Sequence, residues 1–343
     1  MPYINIKPQS SLFLGSGKPF NMGEDDWTDS FALPTPSMVF GAIFSILFKK
    51  YPKIQEKVLN DNKTIEPTDY LEIKNIYLYN TKDGTVLLPA PLDLFIEEDS
   101  DNIVQESYRN DIITSDKFKN LEFITPNSTK NAKRAENSFI DIYYLTNRDM
   151  LKKLYNFSDF AINDSKVGIA INKKTKTADE GKIYRIDLTQ FKSDWSFLVE
   201  YRTIGVKLDD KGVIKLGGEG KLASFKHIKE PIGITNHKEK VTISNEREFQ
   251  IYFSTPVIFE KGCIFDTNEQ FSIVSASIGK PISIGGFDMK TKTHKKMYKA
   301  VPAGSVYLIE LKESVDSMDK LKEALSIKSI DTKRGFGQFE ILN

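Results

Sequence analysis

The stretch SVYLIELKESVDSMDKLKEALSIKSIDTKRGFGQFEIL, residues 305–342, carries the clearest order of secondary structure in the chain. Residues 305–311 have the apolar content of a strand, and residues 315–325 place apolar side chains at the spacing of one helical face. A glycine-containing loop at 333–337 and an apolar run at 338–342 follow. The order strand, helix, loop, strand is typical of the second half of a ferredoxin-like β-α-β-β-α-β unit.

The N-terminus predicts the first half of a similar unit. Residues 3–8 alternate apolar and polar side chains and stop at a proline, which indicates a short strand. After a glycine-rich loop, Thr35 is a candidate N-cap, and Pro36 stands at the first helical position, where its missing N–H costs nothing. Residues 38–48 are apolar nearly all round, so we expect a buried helix that ends before Pro52.

The sequence therefore predicts an α+β protein of two ferredoxin-like, RRM-like domains with antiparallel sheets and inserted β-hairpins. We expect an N-terminal domain at residues 1–245 and a C-terminal domain at residues 246–343. Residues 54–160 carry a weaker pattern that fixes no element boundaries. From there on the chain is rich in β structure, with candidate strands at residues 167–171, 183–188, 197–201, 213–216 and 249–253.

The composition excludes several kinds of protein. The 343 residues include 48 Lys and Arg against 47 Asp and Glu, a net charge of +1, so a local patch has to hold any polyanion. Cys263 is the only cysteine, which excludes an intrachain disulfide and a cysteine-built zinc site. The most apolar stretch, residues 38–48, is shorter than the ~20 residues of a membrane-spanning helix. We expect a cytoplasmic protein with no membrane contact, cofactor or metal.

Two glycine-rich segments could bring the main chain close to a phosphate. The segment GSGK at residues 15–18 lacks the spacing of an ATP-binding phosphate loop, so it is either a phosphate contact or a plain surface turn. The segment GGEGK at residues 217–221 follows a predicted strand, and its glycines permit positive φ and an anion-binding nest. The alternative for this segment is a β-bulge or a hairpin turn.

Residues 166–185 read as a projecting basic hairpin. Six cations stand against two acids, a local net charge of +4, in the order strand, polar tip, strand. A polyanion could bind there, although lysines that protect an exposed sheet edge would give the same pattern. A second cationic stretch surrounds His294 with five lysines and no acid over residues 290–299; an exposed loop is the alternative there.

The loop KRGFG at residues 333–337 combines two cations, two glycines and an aromatic ring. Arg334 could hold a phosphate bidentately, and Phe336 could stack on an unpaired base. The alternative is a helix C-cap turn with a core-facing Phe336.

Taken in order, these segments resemble one family: the RAMP subunit of type III-B CRISPR effector (Cmr) complexes that accompanies the large polymerase-type subunit, subunit three by name. Lys221 stands where the family usually has an arginine; lysine keeps the charge but lacks the bidentate fork. The matching segments are GKPF at 17–20, PTPS at 34–37, VGIAI at 167–171, LGGEGK at 216–221 and RGFG at 334–337.

The resemblance implies a non-catalytic subunit that binds the 5′ tag end of the guide crRNA in antiviral defence. Its implied partners are the crRNA and target RNA duplex, the large polymerase-type subunit and a backbone RAMP subunit. In related RAMP proteins a β-hairpin thumb enters the guide–target duplex, and residues 166–185 match its place. The candidate RNA-binding residues are Gly17, Lys18, Lys166, Lys173, Lys174, Lys176, Gly217, Gly218, Gly220, Lys221, Lys333, Arg334, Gly335, Phe336 and Gly337.

Two alternatives belong to other functional classes. A metal-independent RAMP endoribonuclease that processes precursor crRNA would use His294 as a base. A pure protein scaffold would bind partner subunits through the region of the Phe40 helix and residues 54–160, and other subunits would hold the RNA. The RNA-binding hypothesis also carries a geometric expectation: the glycine turns and their neighbouring cations should form one continuous furrow for a single strand.

Overall fold

The computed structural model describes most of the chain. For residues 27–28, 106–113, 121–124, 170, 178–184 and 238–240 it describes the backbone alone. The described residues are 1–15, 27–28, 31–59, 65–98, 100, 102–113, 121–128, 130–172, 174–240, 247–265, 270–288, 291–315, 317, 320–321, 325 and 327–342.

The fold is α+β, with mostly antiparallel sheets. The α-helices include α1 (Pro36–Lys50), α2 (Pro52–Leu59), α3 (Ile142–Leu145), α4 (Phe157–Phe160) and α5 (Ile232–Lys240), and 3-10 turns lie at Pro67–Asp69, Arg148–Met150 and Thr332–Arg334. The strands are β1 (Tyr3–Pro8), β2 (Trp27–Thr28), β3 (Leu71–Asn80), β4 (Val86–Pro89), β5 (Leu94–Glu97), β6 (Ile103–Ile113), β7 (Leu121–Pro126), β8 (Ala132–Arg134), β9 (Phe139–Asp141), β10 (Ala161–Ile171), β11 (Ala178–Phe191), β12 (Trp195–Thr203), β13 (Lys211–Lys215), β14 (Leu222–Ile228), β15 (Glu248–Phe253), β16 (Phe271–Ser277), β17 (Ile282–Ile284), β18 (Phe287–Asp288), β19 (Thr293–His294), β20 (Tyr298–Ala300), β21 (Val306–Leu311) and β22 (Phe339–Leu342).

The largest sheet has seven strands in the order β13-β14-β1-β12-β3-β4-β9, and every neighbouring pair is antiparallel. Its four central strands are, in spatial order, β14, β1, β12 and β3. Strands β1 and β3 come early in the chain, with α1 between them, and β12 and β14 come more than 100 residues later. The prediction of a first strand at residues 3–8 is confirmed.

Helix α1 begins and ends where the sequence predicts. Thr35 has extended backbone angles at the N-cap, Pro36 opens the helix, and the helix ends before Pro52. Val39, Ile43 and Leu47 are buried against the seven-stranded sheet, whereas Gly41 and Ser45 are exposed. The helix is therefore buried along one face rather than all round, because only that face meets the sheet.

The C-terminal sheet has four antiparallel strands in the order β16-β21-β15-β22. The predicted strands at 305–311 and 338–342 correspond to β21 and β22. Of the predicted helix face, Leu321 and Leu325 are buried in the core of this sheet, and Met318 lies outside the described residues. All the other candidate strands also overlap observed ones: β10, β11, β12, β13 and β15.

A shared core joins the two sheets. Tyr3, Tyr77 and Leu198 of the large sheet are buried in one cluster with Tyr252 and Leu342 of the C-terminal sheet. The Tyr252 hydroxyl donates to the Pro89 carbonyl oxygen at 2.6 Å, so a directed hydrogen bond fixes the apolar contact. One face of the large sheet thus packs on α1 and the opposite face packs on the C-terminal sheet.

Candidate nucleic-acid interface

Residues 217–221, called the glycine turn below, connect β13 to β14 at one end of the large sheet. The Leu216 N–H donates to the Lys221 carbonyl oxygen at 3.0 Å. Gly217, Glu219 and Gly220 have φ values of 76°, 57° and 63°, in the left-handed region. The backbone is therefore a hairpin turn, the alternative that the sequence left open.

Two of its glycines contact the N-terminal loop, residues 9–15. The Gly218 N–H donates to the Phe13 carbonyl oxygen at 2.9 Å, and a Cβ built at Gly217 would lie 2.3 Å from that oxygen. Close packing therefore explains Gly217 and Gly218 without a ligand. Glu219 and Gly220 at the tip are exposed, and a Cβ at Gly220 would meet no atom within 4 Å. The tip is the part of the turn that a phosphate can approach.

The N-terminal loop joins the glycine turn to the basic hairpin. Leu12 exchanges two backbone hydrogen bonds with Thr189 of β11, both 2.8 Å long. The Ser11 hydroxyl donates to the Asp164 carboxylate of β10 at 2.6 Å. Gly17 and Lys18 follow this loop and lie outside the described residues.

The predicted basic hairpin is present as β10 and β11, an antiparallel pair called the projecting hairpin below. At its tip the Asn172 side-chain oxygen accepts from the N–H of Lys174 at 2.9 Å and of Thr175 at 3.3 Å. Lys174 and Lys176 are exposed, and Lys173 lies outside the described residues. The hydrogen bonds of Asn172 order the tip backbone, so the two described lysines are presented on a formed turn.

The structure brings the base of the hairpin and the glycine turn together. Lys166 Nζ lies 3.9 Å from the Glu219 carboxylate at the tip of the turn. Both side chains are largely exposed, so this ion pair is weak and a phosphate could displace the carboxylate. Lys221 also belongs to the turn and is half-buried. The described residues of three predicted segments thus form one group.

One feature of the hairpin was missed by sequence reasoning. Val167, Ile169 and Ile171 alternate along β10, a pattern typical of a strand with one buried face. In the structure these side chains are 62%, 52% and 66% exposed. The ribbon leaves the body of the protein there, so an apolar row lies open beside the lysines.

In the C-terminal loop, residues 333–337, the aromatic ring lies in the core. Phe336 is 1% exposed and packs with Ile258, Ile284 and Ala300. The prediction that its ring stacks on a base is wrong for this structure, since the ring faces the core. The alternative, a turn with a core-facing phenylalanine, describes the loop.

Packing also accounts for both glycines of this loop. Gly335 has a φ of 102°, and a Cβ there would lie 2.9 Å from the Ile73 side chain. Gly337 has a φ of 67°, and a Cβ there would lie 2.5 Å from Ser329. These are the positions where a positive φ and close approach require glycine, so neither residue needs an RNA contact to explain it.

The two cations of the loop have different surroundings. The Arg334 guanidinium lies 5.2 Å from the centre of the Phe40 ring on α1, whereas Lys333 is exposed with its Nζ 3.8 Å from Asp69. Burial and then the charge of nearby Arg334 lower the pKa of Lys295, which belongs to the second cationic stretch. Arg334 and Lys295 therefore form a second group of cations, which also contains neighbouring acids: Glu66, Asp288 and Asp331.

The two groups lie at opposite ends of the large sheet. The glycine turn adjoins the end where β12 begins at Trp195, whereas Gly335 contacts Ile73, which pairs with Tyr201. Trp195 and Tyr201 are six residues apart along β12, which is about 20 Å at ~3.3 Å per residue. The prediction of one continuous furrow through all the glycine loops is therefore wrong: the described members form two separate sites.

His294 and its neighbours form an exposed hairpin, β18 and β19. The His294 ring meets Phe287 edge-to-face at 5.5 Å and hydrogen-bonds to no residue that the structure describes. Among the lysines, Lys299 donates to the Ser283 hydroxyl at 2.9 Å, and Lys290 lies outside the described residues. The histidine thus has no neighbouring group there that would orient it as a base.

The described residues contain no group of three or more His, Cys, Asp or Glu side chains placed to hold a metal ion. Within the same residues, no helix combines the length and apolar character needed to cross a membrane.

The chain is similar to known proteins over nearly its whole length. The chain is 24% identical over 339 residues to the CRISPR system CMR subunit Cmr3 of Saccharolobus solfataricus, covering 96% of this chain and 91% of that protein. The sequence model of the Cas_Cmr3 family, described as CRISPR-associated protein, matches residues 4–343. The chain is thus a CRISPR-associated protein. It belongs to the Cas_Cmr3 family, which confirms the resemblance found in the sequence.

Two solved structures have a similar fold. A chain of the Type III-B Cmr-beta complex bound to cognate target RNA and AMPPnP, in state 1, aligns with a TM-score of 0.51 and 17% identity, covering 89% of this chain and 86% of that one. A chain of the same type of complex bound to cognate target RNA aligns with a TM-score of 0.51 and 16% identity, covering 94% and 89%.

Proposed function

We propose that this chain is a subunit of a type III-B Cmr effector complex and binds the 5′ tag end of the guide crRNA. The observation that carries the proposal is the contact of the projecting hairpin with the glycine turn, where Lys166 meets Glu219. Exposed lysines at the hairpin tip and open main chain at Gly220 supply charge and close approach at neighbouring points. The solved complexes whose chains share the fold are bound to target RNA, which supports an RNA partner.

We further propose two ferredoxin-like domains, at residues 1–245 and 246–343. Such a domain has four antiparallel strands in the spatial order 4-1-3-2. The strands β14-β1-β12-β3 of the large sheet have that order in their own chain sequence, and so do β22-β15-β21-β16 of the C-terminal sheet. The strand order supports the proposal for both halves.

As part of the same proposal, the chain docks the large polymerase-type subunit onto a backbone RAMP subunit, and the projecting hairpin meets the guide–target duplex. The apolar row Val167, Ile169 and Ile171 gives the hairpin a surface for bases or a partner subunit, and Lys174 and Lys176 give it a surface for the phosphate backbone of the guide strand.

The RNA contact is tested in the reconstituted complex with Lys174→Gln, Lys176→Gln. Log affinity falls linearly with log salt concentration, and each phosphate contact that is lost makes this line less steep by about 0.7 for a single strand. We expect weaker guide retention and a slope reduced by about 1.4. Lys53→Gln, Lys57→Gln on α2 removes two exposed lysines elsewhere and is the control. Unchanged retention and slope in the hairpin variant would exclude the tip as an RNA contact.

We propose that the chain has no catalytic role of its own, against the alternative of an endoribonuclease that uses His294. The exposed position of the ring on a two-stranded hairpin, without an orienting neighbour among described residues, supports this view. Precursor crRNA is incubated with wild-type protein and with His294→Ala. Cleavage by the wild type that the variant loses would overturn the proposal; absence of cleavage in both is the expected result.

A further inference from the structure

One edge of the large sheet, formed by β13 and β14, carries cations that have no part in the proposed function. On one face of β13 and β14, Lys211 stands directly opposite Lys226, and Lys215 stands opposite Leu222. Val213 lies between the two lysines of β13, and Lys7 of the next strand, β1, extends the same face. We call the four lysines with Val213 and Leu222 the lysine face.

None of these four lysines makes a side-chain hydrogen bond or ion pair with a residue that the structure describes. The nearest acids in sequence, Asp209 and Asp210, interact with Lys50 of α1 and with His227, on the opposite face of the sheet. Like charges directly opposite each other in a sheet destabilise it. The pair Lys211 and Lys226 therefore disfavours folding and receives no compensation within the described residues.

The lysine face is the uncovered part of a face that is otherwise buried. On β1 the same face buries Asn5 and Tyr3, and Tyr3 belongs to the core shared with the C-terminal sheet. Beyond Asn5 this face of the sheet is no longer buried, and Val213 and Leu222 are 56% and 41% exposed. Exposed apolar side chains beside unpaired cations mark a surface that a polyanion can cover.

We propose that the lysine face binds the phosphate backbone of a single RNA strand that leaves the glycine turn. The inference rests on the proposed function, because the glycine turn directly connects the two strands that carry the lysines. Lys211 and Lys215 lie four residues apart on β13, which is about 13 Å at ~3.3 Å per residue. Lys226 and Lys7 lie on the next two strands, so an extended backbone that crosses this face can meet successive charges. The face has no aromatic ring on which a base could stack, so binding there does not depend on base sequence. Strand addition by a protein partner is the less favoured occupant, since lysines on an edge strand oppose it.

The test uses the reconstituted complex with Lys211→Gln, Lys226→Gln, and Lys53→Gln, Lys57→Gln on α2 as the control. Affinity for guide RNA is measured across a salt series, with one natural guide and one of scrambled sequence beyond the tag. We expect the salt slope to fall by about 1.4 equally for both guides, and only in the lysine-face variant. The unfolding midpoint of the lysine-face variant should be equal to or higher than that of the wild type, because the substitutions remove the repulsion between Lys211 and Lys226.

Three results would overturn the inference. An unchanged slope in a fully assembled complex excludes an RNA contact. Loss of a protein subunit from the complex with an unchanged slope assigns the face to a protein partner. Aggregation with an unchanged slope assigns the lysines to edge protection. The variant Lys174→Gln, Lys176→Gln, measured in parallel, separates this inference from the proposed function. If only that variant changes the salt slope, the lysine face does not bind RNA and the proposed function stands.

Discussion

At the scale of single residues, several candidates for RNA contact have a structural explanation of their own. Gly217 and Gly335 fit places where a Cβ would meet another part of the chain, and the Phe336 ring completes a core. Composition shows which residue types are present but not which side of a loop faces the solvent. The sequence therefore shows which loops combine glycines with cations, but it does not decide between a ligand and a packing partner for the residues within them.

The two glycines of the glycine turn provide a matched pair for testing this explanation. Both have positive φ, which costs about 1–2 kcal/mol in an alanine, but only Gly217 also faces the Phe13 carbonyl oxygen at 2.3 Å from a built Cβ. We expect Gly217→Ala to lower the free energy of unfolding clearly more than Gly220→Ala in urea denaturation. Equal losses in the two variants would show that the contact with the N-terminal loop does not stabilise the turn.

Phe336 distinguishes a core side chain from a base-stacking one. Its ring is buried, so Phe336→Ala should cost about 3–5 kcal/mol of unfolding free energy. Phe287→Ala removes a ring that is 49% exposed and should cost much less. Chemical denaturation measures both values. A Phe336→Ala protein that keeps wild-type stability but loses guide RNA would restore the stacking role.

At the scale of elements, prediction succeeded where a local pattern decides the structure. The N-cap, Pro36 and the apolar run fixed α1, and alternation fixed β1 and the strands of the projecting hairpin. Residues 54–160 show no clear boundaries because β3, β4 and β9 pair within the large sheet, and the small sheet β7-β6-β5-β8 depends on pairings and on contacts such as that of Glu97 with Ser128. Such contacts between distant residues leave no periodic signal in the sequence.

Glu97 makes the stability of that small sheet dependent on pH. The hydroxyls of Ser100 and Ser128 donate to its carboxylate at 2.6 Å each and lower its pKa from 4.5 to about 2. A lowered pKa stabilises the folded state above the unfolded pKa, and the stabilisation is lost as the pH falls from about 4.5 towards 2.

We therefore expect Glu97→Gln to be less stable than the wild type at pH 6, with a difference that narrows as the pH is lowered below about 4.5. Urea denaturation at a series of pH values measures it, and Glu136→Gln, an exposed carboxylate, is the control. A difference that is constant over this range, or that widens towards low pH, would contradict the assigned hydrogen bonds.

At the scale of the whole molecule, two sheets share one core and present two separate groups of cations. At one end of the large sheet the glycine turn contacts the projecting hairpin and connects the two strands of the lysine face, whereas Arg334 with Lys295 lies near the other end. Sequence reasoning could list these segments but not their separation, because strand order in a sheet follows from long-range pairing. A net charge near zero suits such local binding within an assembly.

The arrangement at one end of the sheet leads to the central claim, that this end holds the guide RNA. Its most direct test is crosslinking of guide RNA in the assembled complex, followed by identification of the modified peptides. The account predicts adducts within residues 166–185 and 217–221. Efficient crosslinking to other subunits with no adduct in these two segments would contradict it and would favour a protein scaffold.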